Sequence, residues 1–260
     1  MTILDQIIAD KKFEVALKQK VVPRKQLEQS ALFERETTSL AQAIKNGTGI
    51  IAEHKRRSPS KSIINNKLNV QEVAWGYEKA GASGMSVLTD GKYFGGSLDD
   101  LLIARASVEF PLLRKEFIVD EYQILEAKAH GADAILLIAA SLTRKEIEGF
   151  SAFAKALHLD VLCEAHNKEE LLKSIVPTVD MIGVNNRNLK TFEVSLETSK
   201  NLVKLIPDEF VKVSESGISS VDAIKELKPY GFEGFLIGEC FMKTKNPRVA
   251  SKEFIKELNE

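Results

Sequence analysis

Charged and amide side chains follow short apolar runs at several points along this sequence. The residues in these positions are Glu53, Lys55, Lys115, Glu164, Asn185, Arg187 and Glu215. Carboxylates and ammonium groups are suited to general acid and base catalysis, and guanidinium groups bind carboxylates or phosphates. If the apolar runs are parallel barrel strands, their carboxyl ends meet at one rim, so we expect these side chains to share one site.

The first of these runs is followed by a carboxylate and an ammonium group. Side chains alternate along a strand, so Glu53 and Lys55 are expected to point to the same side and towards one ligand. An ordinary basic surface loop over residues 53–60 is the alternative, because runs of charge are usually solvated.

Lys115 closes the run 111–115 and is a candidate acid, Schiff-base former or anion anchor. A lysine that reaches solvent from the barrel edge is the alternative. Arg114 should point the other way, towards the helix layer or solvent. Glu164 follows Val161-Leu162-Cys163, and an apolar setting is expected to raise its pKa towards the range useful for acid or base catalysis. A salt bridge between Glu164 and a lysine is the alternative.

Two further segments contain groups that bind anions. Asn185 offers a donor and an acceptor and Arg187 a planar fork, although this Asn-rich stretch is also typical of a turn. The last two runs end in glycines, Gly217 and Gly238, that let a backbone approach a ligand closely. The loops after strands seven and eight commonly bind phosphate in barrels, so the backbone N–H of Glu239 is expected to assist, with its side chain turned away.

The elements that must position these residues follow a strand–loop–helix rhythm. Strands are predicted at 49–53, 84–88, 111–115, 133–138, 159–164, 180–184, 210–215 and 233–237. Amphipathic helices are predicted at 70–80, 98–107, 121–130, 144–157, 168–174, 196–205, 220–227 and 248–258. Before them lie a helix that Thr2 can cap and a second helical pattern that stops at Gly47.

The predicted strands are continuously apolar, and the segments between them are long enough for helical crossovers, so we expect the strands to be parallel. Gly81, Gly131 and Gly231 stand where helices must end. We therefore predict an α/β fold, a (β/α)8 TIM barrel with an N-terminal helical extension. An open doubly wound sheet is the alternative, but no GxGxxG follows the first strand. We expect one domain over residues 1–260, with 1–46 as the extension.

The composition excludes several classes of partner and site. The 260 residues carry 36 basic and 37 acidic side chains, a net charge of −1, so we expect no partner that is nucleic acid or membrane. The charged N-terminus is neither a signal peptide nor a membrane helix, which favours a cytoplasmic protein. Cys163 and Cys240 are interpreted as buried inert thiols, and His54, His130, His158 and His166 as structural or solvated. No metal site is expected.

Taken together and in order, several segments resemble the indole-3-glycerol phosphate synthase family. They are 51–60 (IAEHKRRSPS), 87–90 (VLTD), 93–97 (YFGGS), 113–117 (LRKEF), 131–138 (GADAILLI), 183–189 (GVNNRNL) and 214–218 (SESGI). The likeness spans nearly the whole chain. It implies ring closure of 1-(2-carboxyphenylamino)-1-deoxyribulose 5-phosphate to indole-3-glycerol phosphate, with loss of CO2 and water, in tryptophan biosynthesis. It implies a carboxy-lyase without cofactor, acting on a small phosphorylated substrate as a monomer.

The resemblance also implies roles for the residues. Lys115 is the general acid of ring closure, and Glu164, Glu53 and Lys55 are candidates for the acid and base of dehydration, with Asn185 among the catalytic residues. Arg187, Ser58 and Asn185 hold the anthranilate carboxylate or the ribulose hydroxyls, while Glu215 and Ser216 receive sugar hydroxyls. The phosphate is held by Gly217, Gly238 and Glu239. Phe94, Phe117 and Leu137 are expected to form the apolar wall against the aromatic ring.

Two residues depart from the family pattern: Glu116 stands where Asp is usual, and Ser62 where Gly is usual. Other functions remain open on the sequence. A Schiff-base aldolase or an Amadori isomerase is one class, and a non-catalytic phosphate-binding protein on the same scaffold is another. Carboxylates near Lys115 would favour a charged lysine and disfavour imine chemistry.

Overall fold

A computed structural model describes residues 2–189 and 191–260. Within these residues eight parallel strands close into a barrel in sequence order, and β8 pairs with β1. The strands are β1 (Ile50–His54), β2 (Gly84–Leu88), β3 (Leu112–Lys115), β4 (Ala134–Ile138), β5 (Asp160–Ala165), β6 (Met181–Asn185), β7 (Val211–Glu215) and β8 (Gly234–Ile237). The predicted barrel is confirmed, and the open sheet was the wrong alternative.

Helices surround the barrel, and among the described residues ten of the thirteen are capped by a side chain that accepts a backbone N–H of the first turn. The helices are α1 (Ile3–Val21), α2 (Arg24–Glu28), α3 (Leu40–Asn46), α4 (Val70–Ala80), α5 (Gly91–Phe94), α6 (Leu98–Ser107), α7 (Glu121–Ala129), α8 (Arg144–Ala156), α9 (Lys168–Ser174), α10 (Glu197–Leu202), α11 (Val221–Leu227), α12 (Glu239–Met242) and α13 (Pro247–Asn259). Short 3-10 turns cover Ala139–Ser141, Val203–Leu205 and Lys228–Tyr230. Thr2 caps α1 as predicted, through a capping box with Asp5. The short helices α2, α5 and α12 were not predicted.

The glycines predicted to end helices have the expected left-handed backbone. Gly81 and Gly231 have φ of 90° and 95°, and Gly131 has φ of 82°. A left-handed residue allows the chain to turn from a helix into the next strand, and only glycine adopts this conformation without a steric cost from Cβ.

The apolar core has two layers separated by the barrel wall. One layer lies between the strands and the helices and includes Ala52, Val87 and Leu137. The other fills the barrel and includes Ile51, Leu113, Leu136 and Leu162, together with Leu40 and Ile44 of α3. Helix α3 therefore closes the amino end of the barrel, and the N-terminal extension contributes to the core of the fold.

Helix α1 lies at the opposite, carboxyl end of the barrel and is held there by a buried ion cluster. The Lys11 side chain is 2% exposed, and its Nζ lies 3.0 Å from Asp90 Oδ2 and 3.2 Å from Glu116 Oε1. Asp90 follows β2 and Glu116 follows β3, so one ammonium group ties α1 to two strand ends. At the surface, Lys92 Nζ adds a 2.7 Å ion pair with Asp10.

Candidate active site

The polar residues at the strand ends converge on one cavity at the carboxyl end of the barrel. The cavity is lined by these predicted site residues: Glu53, Lys55, Ser58, Lys115, Glu164, Asn185, Arg187, Glu215, Ser216, Gly238 and Glu239. Gly217 is the exception, since it follows Ser216 but does not line the cavity. Strand register explains the convergence, because Lys115 is level with Leu88, Glu164 with Ile138, and Glu215 with Asn185.

Lys115 lines this cavity among three glutamates. Its Nζ lies 2.5 Å from Glu215 Oε2, 3.6 Å from Glu164 Oε2 and 3.9 Å from Glu53 Oε2. Burial lowers the pKa of Lys115, but the neighbouring carboxylates outweigh it and hold that pKa well above its ordinary value. The lysine is therefore an ammonium ion at neutral pH, able to donate a proton but without the free lone pair that an imine requires.

Glu164 does not have the raised pKa that the sequence suggested. Burial does favour its neutral form, but Lys115 and His166 outweigh burial and lower the pKa of Glu164. The alternative of a salt bridge to a lysine is the one that the structure supports. The raised pKa belongs instead to Glu215, where burial together with Glu164 outweighs the attraction of Lys115 and raises the pKa to about 7.

Glu53 and Lys55 point to the same side of their strand, as alternation predicted. Lys55 Nζ donates to Glu53 Oε1 at 2.6 Å. Burial opposes the charged form of Glu53, yet Lys55 and Lys115 outweigh burial and lower the pKa of Glu53. The lysines thus maintain a buried carboxylate at the cavity wall.

Gly238 provides the space for that carboxylate. A Cβ placed at Gly238 would lie 2.5 Å from Glu53 Oε1, closer than real Cβ contacts. Gly238 also precedes α12, whose first residue is Glu239. The carboxylate of Glu239 accepts from Lys61 at 2.7 Å. The phosphate roles of Gly217, Gly238 and Glu239 remain a prediction.

Replacing Gly238 by alanine should therefore disturb Glu53 and the cavity together. We expect kcat/KM to fall by about 10²-fold, because a displacement of the order of 1 Å in an active site has effects of this size. Gly149 of α8 is the matched control, since a Cβ there would meet nothing within 4 Å. Equal kcat/KM in the Gly238→Ala and Gly149→Ala variants would show that the space at 238 is not needed.

Asn185 and Arg187 lie together at the end of β6. The backbone N–H of Arg187 donates to Asn185 Oδ1 at 3.0 Å, and Arg187 Nη1 donates to the carbonyl of Phe192 at 3.2 Å. Both side chains line the cavity. Asn185 is the last residue of β6 and Arg187 forms an isolated antiparallel bridge with Val194, so the segment is not the plain turn of the alternative, and it brings an amide and a guanidinium to the site.

Apolar side chains form one wall of the cavity. Phe94 and Phe117 line it with ring centroids 5.8 Å apart. Leu137 was a wrong prediction, because alternation along β4 turns it towards the helix layer. Its neighbours Leu136 and Ile138 face the cavity instead.

Helix α1 supplies part of the wall that sequence reasoning missed. Ile3, Leu4 and Ile7 line the cavity next to the aromatic residues. The apolar face of this helix was recognisable from the sequence, since Leu4 and Ile7 recur at helical spacing. Periodicity does not show which surface such a face packs against.

Contacts of the residues on either side of Lys115 show how the rim of the cavity is fixed. Arg114 points to the helix layer as predicted, where its Nη1 donates to the Gln123 carbonyl at 2.6 Å. Glu116, one of the two expected departures from the resembled pattern, reaches Lys11 and accepts from Thr89 Oγ1 at 2.9 Å. The longer side chain therefore takes part in docking α1. Ser62 is exposed.

The two cysteines differ in burial. Cys163 is buried, and burial raises its pKa to about 12, whereas Cys240 is only half-buried. Among residues 2–189 and 191–260, no group of His, Cys, Asp and Glu has the arrangement of a metal site. None of the helices in that part of the chain has the length and apolar content of a membrane span. His166 lies against Glu164, with Nε2 3.4 Å from Oε1.

Solved structures share the architecture of this chain. Thiamine phosphate pyrophosphorylase from Pyrococcus furiosus aligns with a TM-score of 0.61 at 17% identity, covering 85% of this chain and 100% of that one. A tryptophan synthase a2b2 complex from the same organism gives a TM-score of 0.61 at 15% identity, covering 82% of this chain and 98% of that one. At such identities the likeness shows the fold alone.

Sequence relatives are much closer. The indole-3-glycerol phosphate synthase of Bacteroides thetaiotaomicron is 46% identical over 257 residues, covering 98% of each chain. That of Laribacter hongkongensis is 42% identical over 254 residues, covering 95% of this chain and 97% of the relative. The model of the family described as indole-3-glycerol phosphate synthase matches residues 4–254. The barrel is closed, a lysine lies among carboxylates at its mouth, and the family match runs along nearly the whole chain. The chain belongs to the indole-3-glycerol phosphate synthase family.

Proposed function

We propose that this chain closes the ring of 1-(2-carboxyphenylamino)-1-deoxyribulose 5-phosphate to give indole-3-glycerol phosphate, CO2 and water. The observation that carries the proposal is the ammonium group of Lys115 beside Glu215, Glu164 and Glu53, facing an aromatic wall. Ring closure needs a proton donor at the ketone, and the later steps need carboxylates. The cavity provides both within one ion cluster.

Lys115 acts first, as the general acid. The aromatic carbon that bears the carboxylate attacks the ketone carbon, and the ketone oxygen takes a proton from the ammonium group and becomes a hydroxyl. The ring is then cationic and loses its carboxylate as CO2. The surrounding glutamates stabilise that positive charge, because buried carboxylates act in a medium of low dielectric constant.

Dehydration completes the indole. The hydroxyl leaves as water after it receives a proton, and a base removes the proton that must be lost for aromaticity. Glu164 and Glu53 have lowered pKa values and are held as carboxylates, so each is suited to the base role. Lys55, beside Glu53, is suited to donate a proton to the leaving hydroxyl.

The two charged ends of the substrate need separate anchors. We place the phosphate at Gly217, Gly238 and the backbone N–H of Glu239, with Lys55 near enough to assist. Arg187, Ser58 and Asn185 receive the anthranilate carboxylate or the ribulose hydroxyls, and Glu215 and Ser216 the sugar hydroxyls. Fixing both ends brings the reacting carbons into contact, which alone contributes up to roughly 7–11 kcal/mol in favourable cases.

The test is to supply the anilino-deoxyribulose phosphate and record the appearance of indole fluorescence. We expect turnover in buffer with no metal or nucleotide added, by a cytoplasmic protein that elutes as a monomer in size-exclusion chromatography. Binding of the substrate without fluorescence from the unmutated protein would contradict the proposal and favour a phosphate-binding protein.

A further inference from the structure

A histidine outside the proposed reaction links the cavity to the neighbouring helix. Nε2 of His166 lies 3.4 Å from Glu164 Oε1, and Nδ1 lies 3.0 Å from Glu170 Oε2. The imidazole therefore stands between two carboxylates, one at the end of β5 in the cavity and one on α9. Its side chain is only 9% exposed.

Glu170 fixes the position of the ring. Its Oε2 accepts the backbone N–H of His166 at 2.8 Å as well as facing Nδ1 at 3.0 Å. Its Oε1 accepts from Asn167 Nδ2 at 2.6 Å. A carboxylate at Nδ1 selects the form of the ring that carries a proton there, so Nε2 is the atom presented to Glu164.

Nε2 of His166 makes no hydrogen bond to any residue that the structure describes. In the part of the chain that the structure describes, it is buried and makes no hydrogen bond, so the Glu164 carboxylate is the polar group it faces. A buried polar nitrogen without a hydrogen bond is costly. An ion pair with Glu164 compensates for that cost when the ring is protonated.

On the basis of the proposed function, we propose that His166 is a positioning residue that holds Glu164 as an oriented carboxylate during turnover. The protonated ring points its Nε2–H at Glu164 and adds a positive charge on the side opposite Lys115. Glu164 is thereby kept available as a base, while His166 itself contacts no reacting atom.

The charges around the ring support its protonation. Glu164 on β5, Glu170 on α9 and Glu215 on β7 are acidic, and Asp5 of α1 and Arg187 after β6 line the adjoining cavity. Burial lowers the pKa of His166, but Glu170 and Glu164 outweigh burial and raise it.

The expected consequence follows from the sign of that charge. Removing a positive charge beside Glu164 raises the pKa of Glu164, so the base becomes protonated at a higher pH. In His166→Asn the acidic limb of the kcat–pH profile should move up by about one unit, the lower end of the usual effect of a neighbouring opposite charge. KM should change little.

His130→Asn is the matched control, since that ring bonds the Glu126 carbonyl away from the cavity.

A second measurement separates this proposal from the proposed function. The 13C resonance of the Glu164 carboxyl, assigned with Glu164→Gln, is titrated in the unmutated protein and in His166→Asn. If the unmutated protein shows no turnover, the proposed function fails, yet the titration still tests the coupling. A Glu164 titration that is the same in both proteins overturns the role of His166. If His166→Asn does not fold, Glu170→Gln replaces it, with a shift in the same direction expected and no shift counting against the proposal.

Discussion

Replacing Lys115 by methionine should lower kcat by about 10²–10⁴-fold, the range typical of losing a general acid. Methionine keeps the length and most of the volume of the side chain but has no proton to donate. The loss should appear in kcat more than in substrate binding, because the anchors at the two ends of the substrate are unchanged. Indole fluorescence at saturating substrate measures kcat, and thermal unfolding checks that the variant is folded.

Lys115→Arg is the matched control for the charge of the cluster. Arginine keeps a positive charge beside Glu215 and Glu164 but does not release a proton at accessible pH. If proton donation is the role of Lys115, both variants lose activity. Substantial activity in Lys115→Arg would show that the cluster needs a positive charge and that the donated proton comes from elsewhere.

The second large effect is expected on stability, at Lys11. The Lys11 side chain is 2% exposed, and the side chains of Asp90 and Glu116 are 2% and 1% exposed. Removing one partner of a buried ion pair leaves an uncompensated charge and costs about 3–5 kcal/mol. Lys11→Met should therefore lower the free energy of unfolding by about this amount and Tm by roughly 10 °C. Urea unfolding at neutral pH measures the change in the free energy of unfolding.

Lys12→Met is the control for Lys11, because Lys12 is the next residue of the same helix and is exposed. A surface substitution of this kind is usually within about 0.5 kcal/mol of neutral. If the two variants unfold at the same urea concentration, the Lys11 cluster does not hold α1 on the barrel. Loss of activity in Lys11→Met before unfolding would show α1 detaching first from the mouth that Ile3, Leu4 and Ile7 line.

Much of this fold was predictable because its signals are local. Continuous apolar runs gave strand bounds within one residue of the observed ones, as for 84–88 and Gly84–Leu88. The alternation of side chains along a strand correctly predicted that Glu53 and Lys55 point to the same side and that Arg114 faces the helices. Since parallel strands end at one rim, the residues that follow them could be assigned to one cavity without knowing any distance.

The rest depended on contacts between distant parts of the chain. The pKa of Glu164 is lowered by Lys115, which is close in space and remote in sequence, so the apolar residues before Glu164 suggested the opposite direction. The burial of Lys11 was not predictable either, because it depends on where α1 packs against the barrel. Leu137 was assigned to the wrong face because every residue of Ala134–Ile138 is apolar, so the sequence does not distinguish the two sides of this strand.

The central claim is that Lys115 reacts as a charged acid among carboxylates, and borohydride reduction during turnover tests it most directly. The protein is incubated with the anilino-deoxyribulose phosphate and borohydride, and its intact mass is then measured. We expect indole-3-glycerol phosphate to form and the protein mass to stay unchanged. An added mass equal to the reduced substrate adduct, located at Lys115, would contradict the account.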